Sequence, residues 1–287
     1  MTRVMTIRQC LLIGVLTHLF GTSIAWAGSG KVNGLYYETK GAGEAVVFIH
    51  GGQMDRRMWD EQYDLFAKHY RVIRYDIRGF GKSDAPEKPY SDADDLRSLL
   101  DHVRVKKATL IGLSLGAAVA TDFAILFPDA VNSLVLACPG LGGFRFEDKA
   151  NDLRAVVEAV QDENHEMAAE LWLKNPYMSV AMENPALRTK LTQLARENTR
   201  CWLNNPLMKR QMKPPAAERL PQISIPSLVV GGERDVSDIQ KIVARLASEI
   251  PGAERQIVPG AGHLVPMENP DAFNRIALEF LAKVYRK

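Results

Sequence analysis

The chain of 287 residues carries only three cysteines, Cys10, Cys138 and Cys201, too few for a disulfide scaffold. It contains no Cys-x-x-Cys pair, no His-Glu-x-x-His and no dinucleotide-type glycine pattern, so neither a metal nor a nucleotide cofactor is expected. Gly81-Lys82-Ser83 ends like a phosphate-binding loop, but that motif requires glycine at position 76, where Asp76 stands. An excess of one charge is missing too. There are 36 basic and 34 acidic residues, and Arg3 and Arg8, the only charges among the first 27 residues, account for the difference. A chain without a basic cluster offers no electrostatic footprint for nucleic acid or anionic lipid. Long hydrophobic runs are also lacking. The apolar stretch from Leu11 to Phe20 falls short of the roughly 18 to 20 residues of a spanning helix. Internal repeats and low-complexity segments are absent.

That stretch has a different meaning. Arg3 and Arg8 precede it, and small residues ending in Ala25-Trp26-Ala27 follow it, which is the three-part pattern of a secretory signal peptide cleaved after Ala27. The expectation is a signal peptide over 1–27, a mature domain over 28–287, a periplasmic or secreted location, and no stable membrane association after cleavage. Cys10 would be removed with the leader. Cys138 and Cys201 would remain, either bridged or as free buried thiols.

The remainder, in a chain that is 46% hydrophobic and 24% charged, has an ordinary globular balance. Val46 to His50, Arg71 to Tyr75, Ala108 to Leu113, Val131 to Ala137, Ser227 to Gly231 and Arg255 to Val258 are short apolar or β-branched runs, as expected of strands covered on both faces. Helical patterns run over Trp59 to His69, Ala93 to Val103, Leu115 to Phe127, Ile239 to Ile250 and Asp271 to Tyr285. Strand and helix alternating at this spacing imply a mostly parallel α/β sheet. From about Phe144 to about Leu220 the strand signal stops. Helical periodicity there is punctuated by Pro176, Pro185, Pro206, Pro214 and Pro215, and reads as a helical insertion over one end of the sheet.

Chemistry gathers at three strand ends. Gly112-Leu113-Ser114-Leu115-Gly116 lies where a predicted strand passes straight into a predicted helix, so the glycines permit a tight turn and the helix start supplies a free N–H. A serine hydroxyl needs a base, and the base needs an orienting group. Gly232-Glu233-Arg234-Asp235 and Gly260-Ala261-Gly262-His263 follow later strands and supply Asp235 and His263 in the order Ser, acid, His. Glu233 and Asp238 are the nearest rival acids, while His69, His102 and His165 fall on predicted helices or their ends. Val47 to Gln53 is a buried strand ending in Gly51-Gly52, and two pre-set N–H donors, those of Gly52 and Leu115, would suit a developing oxyanion.

With HGGQMDRRMWDEQ, the run from Asp76 to Pro86, GLSLG, GERD and GAGH in this order, the chain resembles the α/β-hydrolase superfamily from about Gly34 to Tyr285, in the style of its capped esterases, enol-lactonases and carbon–carbon hydrolases. The resemblance implies an α/β-hydrolase fold with a helical cap, about 144–220, inserted after the sixth strand. It implies Ser114 as nucleophile, His263 as base, Asp235 as orienting acid, and Gly52 with Leu115 as oxyanion hole. Gln53, Trp172, Met178 and Trp202 are candidate substrate contacts, and the cap's aromatics and methionines suit a small molecule with an apolar portion. Lys174 and Arg200 could meet a single carboxylate. The leading expectation is a serine hydrolase of a carboxylic ester or lactone. A carbon–carbon hydrolase of the same fold, or a ligand-binding member without turnover, is the alternative.

Overall fold

The computed structural model describes residues 26–148, 150, 152–204 and 206–286. Nearly all of the leader lies outside them. Eight strands form one sheet: β1 (Trp26–Val32), β2 (Leu35–Gly41), β3 (Ala45–Ile49), β4 (Arg71–Tyr75), β5 (Ala108–Leu113), β6 (Val131–Ala137), β7 (Ser227–Gly232) and β8 (Glu254–Val258), in the order β1-β2-β4-β3-β5-β6-β7-β8. From β4 to β8 all neighbours are parallel. Every residue of β3, β4, β5 and β7 is buried, the consequence of helices covering both faces of a parallel sheet. These helices are α1 (Asp60–Phe66), α2 (Asp92–His102), α3 (Leu115–Leu126) and, beyond the insertion described below, α7 (Ser237–Glu249), α8 (Val265–Glu268) and α9 (Pro270–Tyr285).

The hairpin of β1 and β2 carries no strand prediction, because Leu35–Gly41 is largely polar and lacks an apolar run. Its turn, Asn33-Gly34, has φ of 48° and 83° and is the one short-range signal present, since both central residues of such a hairpin turn need positive φ. The hairpin pairs antiparallel onto β4, and β1 takes up Trp26 and Ala27 opposite Gly41 and Lys40.

Between β6 and β7 the chain forms α4 (Arg154–Gln161), α5 (His165–Leu173), α6 (Pro185–Glu197) and several 3-10 turns, so the expected helical insertion is present. It is tied to loops at the strand ends. The Asn198 side chain donates to Asp55 Oδ2 at 2.8 Å and accepts from Gly81 N at 2.9 Å, while Arg200 donates to Ser83 O at 3.0 Å. Asp238, one of the rival acids, accepts from Glu147 N at 2.6 Å and Asp148 N at 2.7 Å, where the insertion begins. Asp76 receives Arg56 N at 2.9 Å and Lys82 N at 2.8 Å. The segment ending Gly81-Lys82-Ser83 is thus a loop organised around a buried carboxylate. Cys138 and Cys201 are both free and buried. No helix among the described residues is long and apolar enough to cross a membrane.

Burial alone would raise the Asp55 pKa, but bonds from Arg57 and Asn198 more than offset it and hold the carboxyl well below its ordinary range. A depressed folded-state pKa contributes stability that is complete above the unfolded value of about 4 and is lost as pH falls from there. Asp55→Asn is therefore expected to lower the urea midpoint at neutral pH and to flatten its decline below about pH 4. Unfolding curves of both proteins across that range check it, and an unchanged acid slope would count against the assignment.

Candidate active site

The turn between β5 and α3 places Ser114 with φ 52° and ψ −111°, a conformation that costs a non-glycine residue on the order of 1–3 kcal/mol. The surroundings hold it there. Ser114 N donates to Ala137 O at 3.0 Å, and its carbonyl accepts from Ala118 N and Gly140 N, each at 3.0 Å. The flanking glycines are needed for close approach: a Cβ on Gly116 would meet the carbonyls of Ile49 and His50, and one on Gly112 would meet the backbone of Gly116. Leu115 opens α3, where the first N–H groups have no intrahelical partner. Gly52, just past β3, has open space where a Cβ would stand, so packing does not demand glycine there. Its N–H donates to no backbone acceptor among the described residues.

Asp235 follows β7 and His263 follows β8, and both are buried. His263 Nδ1 lies 3.0 and 3.1 Å from the two Asp235 oxygens, which places the other ring nitrogen away from the acid. The loop carrying His263 is braced by Glu268, which accepts from Gly262 N and from Leu264 N at 3.1 Å. Burial pushes the Glu268 carboxyl up even though both amides pull it down. Sequence reasoning missed Glu268, a half-buried acid five residues beyond the histidine. The remaining rival acid, Glu233, is occupied by Gly260 N at 2.8 Å. The Tyr177 ring lies 4.4 Å from the imidazole, centroid to centroid.

Ser114 and His263 open onto one cavity of about 340 Å3, and Gly52, Gln53, Leu115, Trp172 and Met178 line it as well. No hydrogen bond joins Ser114 to the imidazole among the described residues; such bonds often tighten only around substrate. Trp202, expected at the substrate, is not in the wall. It packs edge-on against Trp172 with ring centroids 5.7 Å apart and supports that wall residue from outside. Pattern alone could not separate a wall aromatic from one behind it. Phe146, Leu153 and Ile239 complete an apolar lining, which among the described residues includes no Asp, Glu, Lys or Arg. Lys174 pairs with Glu170 at 3.8 Å and Arg200 is bound to the Gly81–Ser83 loop, so neither reaches the cavity.

A family model described as the alpha/beta hydrolase family matches residues 46–276. A Bacillus subtilis protein provisionally named 2-succinyl-6-hydroxy-2,4-cyclohexadiene-1-carboxylate synthase is 31% identical over 259 residues, 86% of this chain and 93% of that one. A 2-hydroxy-6-oxo-6-phenylhexa-2,4-dienoate hydrolase of Burkholderia cepacia is 28% identical over 273 residues, 86% of this chain and 91% of that one. Among solved structures, a thermophilic esterase from Thermogutta terrifontis superposes with a TM-score of 0.74 at 29% identity, covering 92% of this chain and 99% of the esterase. With its mostly parallel sheet, its strained serine turn and a family match over most of its length, the chain belongs to the alpha/beta hydrolase family.

Proposed function

We propose that the protein is a serine hydrolase that cleaves an uncharged carboxylic ester or lactone through an acyl-enzyme. The observation that carries this reading is an imidazole held by Asp235 over an apolar cavity that also receives the Ser114 hydroxyl. Ser114 Oγ attacks the substrate carbonyl and passes its proton to His263 Nε2, while Asp235 keeps the accepting nitrogen facing the serine. The N–H groups of Gly52 and Leu115 receive the oxyanion. The imidazolium then protonates the departing alkoxide, and water, activated by the same histidine, releases the acid.

The uncharged substrate follows from the lining. A carboxylate brought into a cavity whose described lining holds no cation forfeits its hydration and finds no partner there. The Burkholderia cepacia relative acts, by its name, on a dienoate, which carries such a group. Carbon–carbon cleavage of that kind of substrate is therefore the second reading, and similarity to the Thermogutta terrifontis esterase supports the first. The amino-terminal pattern supports export, and cleavage after Ala27 would leave Gly28–Val32 paired with β2.

Replacing Ser114 by Ala is expected to lower kcat on an aryl ester by about 10³-fold or more, and Asp235→Asn by a comparable factor, with melting temperatures little changed. Full activity in folded S114A would overturn the nucleophile assignment. Between an aryl ester with a neutral acyl chain and the same ester ending in a carboxylate, kcat/KM is expected to favour the neutral compound by about 10- to 100-fold. Preference for the charged ester, or turnover of a dienoate alone, would favour the second reading.

A further inference from the structure

Close to Asp235 and His263 lies a group that the proposed mechanism does not use. Cys138, the first residue after β6, is fully buried with φ 39°, and its amide donates to Val230 O at 2.7 Å. The turn sends the thiol toward the loop of His263, where Sγ lies 3.6 Å from Gly262 O. Cys138 Sγ, an Asp235 carboxylate oxygen and a His263 ring nitrogen all fall within 4.8 Å of one another, and all three residues are buried. Thiolate, imidazole and carboxylate are the ligand set of zinc. Around a tetrahedral zinc, bond lengths near 2.0 to 2.3 Å put such atoms roughly 3.3 to 3.6 Å apart. The nitrogen and carboxylate are already 3.0 Å apart, so a shift of the thiol by about one ångström closes the set.

We infer that Cys138, Asp235 and His263 form an inhibitory site for a thiophilic divalent ion of the zinc type. Binding forms bonds from the metal to Cys138 Sγ, His263 Nδ1 and an Asp235 oxygen. The thiol proton is released to solvent, and the proton that stood on Nδ1 moves to Nε2. The second transfer makes the ion an inhibitor. A neutral imidazole bound through Nδ1 carries its hydrogen on Nε2 and can no longer accept the proton of Ser114. The fourth coordination position is left for water. An ion has two approaches, since His263 lines the cavity of about 340 Å3 that it shares with Ser114 and Asp235 lies in the wall of a separate cavity of about 140 Å3.

The site does not depend on turnover, but its inhibitory effect rests on the proposed hydrolase reading, so the two are tested separately. Co2+ added to the Ser114→Ala protein is expected to produce the near-ultraviolet absorption of a thiolate-to-cobalt bond, displaced by Zn2+. The band is expected to persist when Cys10 and Cys201 are both replaced by Ser, which leaves Cys138 as the sole thiol, and to disappear in Cys138→Ser. With Ser114 intact, half-inhibition of ester hydrolysis is expected to need at least tenfold more Zn2+ in Cys138→Ser than in the unmodified chain, with chelator restoring activity in both. No thiolate band in either protein that retains Cys138 would overturn the site, as would a band that survives Cys138→Ser. A Cys138-dependent band without inhibition would overturn the tautomer argument. If no ester is turned over, the band still decides whether the site exists.

Discussion

A side chain at the end of a buried strand reaches a cavity only if the backbone reverses at once, and at Ser114 that reversal requires a left-handed conformation that an ordinary residue resists. Three backbone hydrogen bonds and two glycines without room for a methyl group hold the turn in place. The same closeness brings the first turn of α3 against the end of β3, and Leu115 and Gly52 line one cavity. The rest of the candidate site follows from this constraint. Asp235 and His263 matter because their strands end on the same side of the sheet as the serine turn.

Around that space the protein separates polar from apolar structure. Charged groups gather in the loops after β3 and β4, where Asp55, Asp76, Arg56 and Arg57 pair with one another and Asn198 joins them to the insertion. The cavity itself has a largely apolar wall, with the His263 imidazole and the Ser114 side chain among its few polar groups. A dry lining strengthens the attraction between oxyanion and N–H donors and penalises any charge on the substrate. In the proposed reading, exclusion of water and preference for a neutral substrate therefore share one physical cause. Cys138 lies close to both Asp235 and His263, a buried thiol beside that pair.

The parallel strands were legible because burial on both faces leaves a continuous apolar run, as in Val46 to Ile49 and Leu228 to Val230. The β1–β2 hairpin was not, since an edge hairpin half open to solvent needs no such run, and only Asn33-Gly34 betrayed it. Among the acids, Asp235, Glu233 and Asp238 have similar local settings in sequence. Contacts distant along the chain separate them: His263 for the first, Gly260 for the second and the start of the insertion for the third. Trp172 and Trp202 show the same limit, because two aromatics on packed helical segments differ only in which one faces the cavity.

From the sequence alone came the strand-to-helix turn at Ser114, the order of serine, acid and histidine, and the helical character of the insertion, because each is written in local spacing and glycine placement. Tertiary structure alone decided which side chains share the cavity, that no cation among the described residues enters its wall, and that a cysteine and a glutamate support the histidine loop. Those relations join residues more than a hundred positions apart, as Cys138 and Gly262 are, or hang on which way a side chain turns. Neither leaves a local trace, because packing selects them only when the whole chain is folded.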